Sequence, residues 1–267
     1  MKTLLVPVLL ATFVTGAAAQ QLQQSPVTAT LVDGWQRSDG TYMAAVALEL
    51  EPGWKTYWRA PGDAGIPPQF DWKGSRNLHA VSVSWPTPKV FDQNGMRSIG
   101  YDGKVVLPIA MTPRSGGRDI DVDLTMDIGV CHDICIPERI KLKGTLSAAG
   151  TTPVPAIAAA LAERPYTASE AGAGAVTCRI EPIKDGLSIS ADLQVPYAGG
   201  SEVVVIEAGR PDLWVSEATT QRSGNTLSAQ ADIVPSGNGT LALDRSAIRF
   251  TVLGASHAVD MRGCTPG

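Results

Sequence analysis

The sequence has few histidines, few aromatic residues and no long apolar run beyond its first residues. Three of its 267 residues are histidine and 6% are aromatic. The formal net charge is −4, so the sequence lacks the basic excess that binds nucleic acid or an anionic membrane surface. Asp, Lys, Gly or Pro interrupts every apolar run after residue 14 well before the roughly 20 residues that span a bilayer. We therefore expect no nucleic-acid partner and no direct membrane insertion of the mature chain.

Two further absences argue against particular classes of fold. No repeat with a fixed period of about 20 to 50 residues occurs, which argues against solenoids and propellers. There is also no Cys-x-x-Cys and no alternation of strand and helix patterns, so a thioredoxin fold is not supported.

The first residues have the pattern of a secretory signal peptide. A positive charge at Lys2 precedes an apolar run from Leu4 to Val14, and small residues follow up to Ala19. The apolar run is too short for a membrane anchor. We predict that residues 1–19 are a signal peptide and that the mature protein is periplasmic. Disulfides persist in that compartment, so the four cysteines are the place to look for chemistry.

Several stretches alternate apolar and polar residues with the period of a β-strand. In the clearest one, Ile120, Val122, Leu124 and Met126 alternate with Asp and Thr. Short stretches of this kind, separated by Gly, Pro, Asp and Asn, predict an all-β protein built of β-sandwiches. The other stretches are Tyr42–Leu50, Val81–Trp85, Val105–Met111, Ile140–Leu146, Leu187–Val195, Val203–Ile206, Leu227–Ile233 and Ile248–Leu253.

A change of composition divides the mature chain into two domains. Pro, Ala and Gly replace the alternating pattern between residues 148 and 175, where an Ala-rich helix is predicted at 156–163, before Pro165. We predict a first domain at 20–147, a linker with one short helix at 148–175, and a second β-sandwich domain at 176–267.

Cys131 and Cys135 flank a predicted hairpin turn. The alternating strand ends just before Cys131, and another strand begins after Pro137. Residues that face each other across a hairpin are about 4.5 to 5.5 Å apart, which overlaps the Cα separation of a disulfide. The pair can therefore open and close without a large movement of the backbone, and we predict that it is redox-active.

Cys178 and Cys264 instead bracket the second domain. In the chain-entropy model, a bond between them contributes about 4.6 kcal/mol, whereas one between Cys131 and Cys135 contributes only about 2 kcal/mol. We predict that Cys178 and Cys264 form a structural disulfide. The alternative is that both pairs are structural.

Metal binding and hydrolysis are two alternative chemistries for Cys131 and Cys135. Cys131, His132 and Cys135 are soft ligands for Cu(I) or Zn(II), but adjacent residues of an extended chain project to opposite faces, so we predict no metal site. A Cys–His hydrolase needs a base held by a third group, and the remaining histidines, His79 and His257, lie in unrelated segments. A protonated His132 would favour the thiolate of a neighbouring cysteine, although a solvated loop histidine is an equal alternative.

A set of motifs resembles the periplasmic N-terminal region of DsbD-like reductases, and most closely the ScsB, or suppressor-of-copper-sensitivity, branch. The resemblance covers residues 30–146, while the second domain is similar only in length and in being rich in strands. The motifs are Gly53-Trp54-Lys55-Thr56-Tyr57-Trp58-Arg59, Pro61-Gly62-Asp63-Ala64-Gly65-Ile66-Pro67-Pro68, Phe70-Asp71-Trp72, Trp85-Pro86-Thr87-Pro88, Gly100-Tyr101 and Val130-Cys131-His132-Asp133-Ile134-Cys135-Ile136-Pro137.

The resemblance implies an immunoglobulin-like fold and a protein-disulfide reductase type of activity without a cofactor. It implies that Cys135 forms the mixed disulfide with partners and that Cys131 is the resolving thiol. The implied partners are a membrane-embedded DsbD- or CcdA-like electron donor and a periplasmic thioredoxin-fold protein. Since the sequence ends at Gly267 without a membrane domain, we expect the donor to be a separate chain.

The resemblance also suggests a segment that shields the pair. Its counterpart lies near Phe91 to Met96, with Phe91 as the shielding aromatic, or else as a core strand residue. Cap or partner contacts are expected from Phe91, Asp92, Met96, Tyr101, Trp58 and His132. Aromatic residues and Arg often anchor interfaces, although a core position is the alternative for Trp58.

Two functions compete with a redox relay. One is a copper-binding or copper-tolerance module that uses Cys131, His132 and Cys135. The other is a non-catalytic β-sandwich interaction protein, in which neither cysteine would matter for function.

Overall fold

The computed structural model describes residues 25–63, 65–93, 96–237 and 241–267. The predicted signal peptide at 1–19 lies outside these residues. Within the described residues no helix is long and apolar enough to cross a membrane.

Residues 27–146 form two sheets packed face to face. One sheet has the strand order β1-β2-β8-β5, and the other has the order β10-β9-β3-β7-β6, with β4 also paired to β9. Ile120, Val122 and Leu124 of β9 point into the core between the sheets, as the alternating pattern predicts. The strands are β1 (Val27–Gln36), β2 (Tyr42–Leu50), β3 (Lys55–Tyr57), β4 (Gln69–Asp71), β5 (Leu78–Val83), β6 (Lys89–Gln93), β7 (Met96–Asp102), β8 (Lys104–Pro113), β9 (Ile120–Cys131) and β10 (Cys135–Leu146).

The segment predicted as a linker packs against both halves of the protein. Its helix α1 (Pro155–Ala162) begins with Pro155, whose fixed φ suits the first helical position, and it buries Ile157 against Met43 of β2. The next strand, β11 (Tyr166–Thr167), pairs in parallel with β19 (Ala258–Arg262) of the second half. The exact bounds of the two domains stay a prediction.

The second half repeats the arrangement of two packed sheets. Their strand orders are β11-β19-β18-β14 and β15-β17-β13-β12-β20, with β16 paired to β17 beside β15. The two halves together confirm the all-β class with two sandwich-like domains of the immunoglobulin-like kind. The further strands are β12 (Val176–Ile183), β13 (Gly186–Gln194), β14 (Val203–Glu207), β15 (Leu213–Val215), β16 (Thr219–Ser223), β17 (Thr226–Pro235), β18 (Arg249–Leu253) and β20 (Thr265–Pro266).

The two domains share an apolar contact. Leu253 and Ala258 of the second domain are buried in the core of the first, and Val203 and Val205 pack against the same core. Beside this contact, Arg59 of the first domain donates hydrogen bonds to both carboxylate oxygens of Glu207, at 3.0 and 2.8 Å. The second domain is thus held against the segment that follows β3.

Candidate redox site

Cys131 and Cys135 face each other across the β9–β10 hairpin and form a disulfide. Their Cα atoms are 4.1 Å apart, and the His132 N–H donates to the Ile134 carbonyl within the three-residue turn, at 3.1 Å. The hairpin prediction is confirmed. The two cysteines differ in exposure, since Cys131 is buried with 2% of its surface exposed whereas Cys135 is exposed. An incoming thiolate can therefore approach the sulfur of Cys135.

The hydroxyl of Tyr57 contacts both sulfur atoms of the disulfide. Its oxygen lies 2.9 Å from the Cys131 Sγ and 3.3 Å from the Cys135 Sγ. A disulfide carries no hydrogen, so the hydroxyl is the donor. Tyr57 is buried on β3, and this burial raises the pKa of its phenol, which keeps the hydroxyl protonated at neutral pH. It is thus a donor in position for a thiolate that forms when the disulfide opens.

Space for the Tyr57 ring depends on a glycine in β9. A Cβ atom on Gly129 would lie 3.0 Å from a Tyr57 ring carbon and 3.0 Å from the Cβ of Ile66. Glycine within a strand often marks a close approach of this kind, and it is the signal that could have identified this position from the sequence. Gly129, Tyr57 and Ile66 thus form one packed layer next to the disulfide.

Lys55 is a second buried residue beside the pair that the sequence did not reveal. It is the β3 partner of Cys131 in the sheet register, with 7% of its surface exposed. Its Nζ donates to the Ser98 Oγ at 3.3 Å and lies 5.2 Å from the centre of the Phe91 ring. Burial lowers the pKa of this ammonium group. Lys55 therefore connects the strand next to Cys131 with the β6–β7 hairpin.

That hairpin carries the residues predicted to shield the pair. Phe91 and Asp92 lie on β6 opposite Ser98 and Arg97 of β7, and Phe91 is half-buried. Met96 is 60% exposed. The structure thus brings Phe91 within contact of Lys55, while a direct role as a shield of the sulfurs stays a prediction.

His132 has contacts on the outer side of the turn. Its Nδ1 lies 2.9 Å from the Asp133 carboxylate, and its ring stands 5.8 Å from that of Trp54. Its Nε2 occupies the place that a Cβ atom of Gly53 would take, at 2.6 Å. Within the part of the chain that the structure describes, no group of three His, Cys, Asp or Glu side chains is arranged to hold a metal ion. The copper-binding alternative therefore gains no support from the placement of His132.

Two of the residues considered for cap or partner contacts, Trp58 and Tyr101, lie in the core. Trp58 is fully buried, and the Arg59 guanidinium stacks on its ring at 3.8 Å. Tyr101 has 6% of its surface exposed, and its hydroxyl donates to the Pro86 carbonyl at 2.8 Å. Burial raises the pKa of the Tyr101 phenol. This burial favours the core alternative for Trp58, and a role of either residue in cap or partner contacts stays a prediction.

The second cysteine pair lies in the second domain. Cys178 on β12 forms a disulfide with Cys264, which precedes β20, and β20 pairs in parallel with β12. Cys178 has 1% of its surface exposed, and the Arg245 guanidinium donates to its carbonyl at 2.8 Å. The bond ties the C-terminal strand to the sheet.

Comparison with known proteins agrees with this geometry. Residues 21–147 match the family model of the N-terminal region of the thiol:disulfide interchange protein DsbD, so this part of the chain is a DsbD-like N-terminal region. Nearly the whole chain has the fold of the N-terminal periplasmic domain of ScsB from Proteus mirabilis. The TM-score is 0.65 and the sequence identity 24%, over 90% of this chain and 93% of that chain. No curated protein sequence matches the chain.

Proposed function

We propose that this protein is a periplasmic thiol–disulfide exchange module that relays electrons through Cys131 and Cys135. The observation that carries the proposal is a disulfide between an exposed cysteine, Cys135, and a buried one, Cys131, with the hydroxyl of the buried Tyr57 within hydrogen-bond distance of both sulfurs. The match of this region to DsbD supports the chemistry, and the periplasmic ScsB domain of the same fold supports the compartment.

The reduction step starts at the exposed cysteine, Cys135. A thiolate of the electron donor attacks the Cys135 Sγ, a disulfide between the two proteins forms, and the Cys131–Cys135 bond breaks. Cys131 leaves as a thiolate that accepts the hydrogen bond of Tyr57. The second thiolate of the donor then attacks the donor sulfur of the mixed disulfide, and Cys135 leaves as a thiolate. The donor is oxidised to a disulfide, and the pair gains two electrons and takes up protons from water.

Transfer to the acceptor reverses these roles. The Cys135 thiolate attacks a disulfide of the acceptor, and one acceptor sulfur leaves as a thiolate. Cys131 then attacks Cys135, the internal disulfide forms again, and the second acceptor sulfur is released. Cys131 suits the resolving role because it lies directly opposite Cys135 and is buried, so thiols and disulfides in solution have little access to it.

The β6–β7 hairpin is suited to act as a cap over the pair. Lys55 lies on β3, next to Cys131, and contacts Phe91 and Ser98 of the hairpin. Movement of the hairpin would therefore break contacts made beside the disulfide. Asp92 and Met96 lie near its tip and would meet a partner first. As partners we propose a membrane-embedded DsbD- or CcdA-like donor and a periplasmic thioredoxin-fold acceptor.

Trapping of mixed disulfides tests the proposal. Cys131→Ser in a chain reduced beforehand should form a stable mixed disulfide with an oxidised thioredoxin-fold protein, because no resolving thiol remains. Cys135→Ser is the matched control and should trap far less, because its remaining sulfur is buried. Trapping by Cys135→Ser alone would reverse the two roles. If neither variant traps protein and neither changes the function of the chain in cells, the non-catalytic interaction module replaces the relay.

A further inference from the structure

A cleft of about 810 Å³ lies between the two domains. The first domain contributes residues 59–63, 65, 67 and 69 together with Arg97 and Ile99, and the second domain contributes the runs 203–211 and 213–218. This volume is within the range of about 300 to 1,000 Å³ in which proteins bury ligands. The redox reaction proposed above uses none of this space.

The second-domain wall of the cleft is made by the edges of two sheets. Among the described strands, β14 pairs with β18 alone and β15 pairs with β17 alone, so each is the last strand of its sheet. Val204 and Ile206 of β14 line the cleft although their side chains are buried in the core of the second domain. Their main chain must therefore face the cleft, which means that the cleft runs along the open edge of β14.

An open strand edge presents peptide N–H and C=O groups that a further strand can pair with. Within the described parts of the chain, the main chain of Val203–Glu207 has no hydrogen-bond partner apart from β18. The edge is five residues long, which is enough to pair with an extended segment. Peptide recognition by strand addition takes its affinity from these main-chain bonds and its specificity from the side chains around them.

Of the charged side chains that line the cleft, all but the exposed Asp63 have a partner of opposite charge among the described residues. Arg59 binds both oxygens of Glu207, and Arg97 lies 3.8 Å from Glu217 on the opposite wall. The remaining lining includes apolar side chains on both walls, among them Pro61, Pro67, Ile99 and Leu213, and Trp214, which is 44% exposed. The two ion pairs across the cleft leave an occupant little counter-charge to pair with, so the apolar lining favours uncharged side chains.

We propose that this cleft binds an extended, uncharged and largely apolar peptide segment of a partner protein, which adds as a strand to the open edge of β14. The proposal does not depend on the exchange reaction of Cys131 and Cys135. The cleft is nonetheless close to that site, because Gly65 and Pro67 of its wall flank Ile66, which belongs to the packed layer next to the disulfide. A partner seated in the cleft would lie beside the disulfide.

The test uses an acetylated and amidated hexapeptide of alternating valine and threonine, titrated into the isotope-labelled full chain and followed by amide NMR shifts. Saturable shifts of Val203–Glu207 are expected. Two further peptides carry N-methyl groups on the odd or on the even residues. Because only one edge of an added strand bonds to β14, one set of N-methyl groups should weaken binding at least tenfold and the other set should not. Equal affinity of all three peptides, or no saturable binding of the hexapeptide, overturns the proposal.

Side-chain variants and hydrogen exchange complete the test. Trp214→Ala should weaken binding of the hexapeptide several-fold, whereas the matched variant Trp214→Phe should keep it. The outward amides of β14 should exchange rapidly in the free protein and slowly with peptide bound. Slow exchange in the free protein, together with self-association in sedimentation, would assign the edge to a second copy of this chain and overturn the proposal.

Discussion

Tyr57 and Cys131 are 74 positions apart in the chain, yet the hydroxyl of one lies 2.9 Å from the sulfur of the other. Adjacent strands β3 and β9 bring them together, and Gly129 leaves the space for the ring. The contact gives the buried sulfur a hydrogen-bond donor at the moment it becomes a thiolate. The chemistry of the pair should therefore respond to changes on β3 as well as to changes in the hairpin.

Tyr57→Phe should slow reduction of the disulfide without unfolding the protein. A hydrogen bond to a charged group contributes about 1.5 to 3 kcal/mol, so loss of the donor should slow the release of the Cys131 thiolate by about tenfold or more. Stopped-flow reduction by dithiothreitol measures the rate. Tyr101→Phe is the matched control, since its hydroxyl bonds to the Pro86 carbonyl instead. An equal change of rate in both variants would count against a specific role of Tyr57.

Gly129→Ala should displace Tyr57 and Ile66 from the disulfide. The new methyl group would lie 3.0 Å from both side chains, so one of them must move. We expect a loss of about 1 to 3 kcal/mol in the free energy of unfolding and faster exchange with small thiols. Urea unfolding and the reduction rate check the two effects. Gly116→Ala, where an added Cβ meets no atom within 4 Å, should leave both unchanged; an unchanged reduction rate in Gly129→Ala would show that the layer does not restrict access.

Arg59→Met should loosen the contact between the domains. The Arg59 and Glu207 side chains are only 13% and 24% exposed. Removal of the Arg59 cation therefore leaves the Glu207 carboxylate without its partner and with little contact to solvent. Breaking a pair of this kind costs several kcal/mol when it is buried, and we expect about 2 kcal/mol for this partly exposed one. The matched control Arg76→Met removes an exposed ion pair with Asp121 and should lower the free energy of unfolding by less than about 1 kcal/mol. Thermal unfolding and small-angle scattering provide the comparison, and equal losses in the two variants would contradict the interdomain role.

The two disulfides should be reduced in a fixed order. Cys135 is exposed, whereas Cys178 is buried and its bond to Cys264 closes the longer loop of the chain. Alkylation of thiols at increasing dithiothreitol concentration, read by mass spectrometry, should label Cys131 and Cys135 first. Simultaneous labelling of all four cysteines would remove the distinction between a redox-active and a structural pair.

Local pattern was enough to predict much of the fold. The alternation along residues 119–127 predicts a half-buried strand because neighbouring side chains of an extended chain point to opposite faces, and the structure buries the apolar set in β9. The hairpin follows from two such patterns separated by a short turn. The strand predicted at Val81–Trp85 instead covers Leu78–Val83 as β5. Its ends differ from the prediction because they depend on the pairing partner, which is β8 here.

The sequence by itself determined the all-β class, the hairpin that places Cys131 opposite Cys135, and the motifs of a DsbD-like region, because each depends on residues close together in the chain. Only the tertiary structure decided that Cys131 is buried while Cys135 is exposed, that Tyr57 contacts both sulfurs, and that Arg59 pairs with Glu207, 148 positions away. These features depend on which strands become neighbours and on how the two domains pack. Periodicity along the chain carries no information on either, since it reports the face a side chain takes and not the residue it meets.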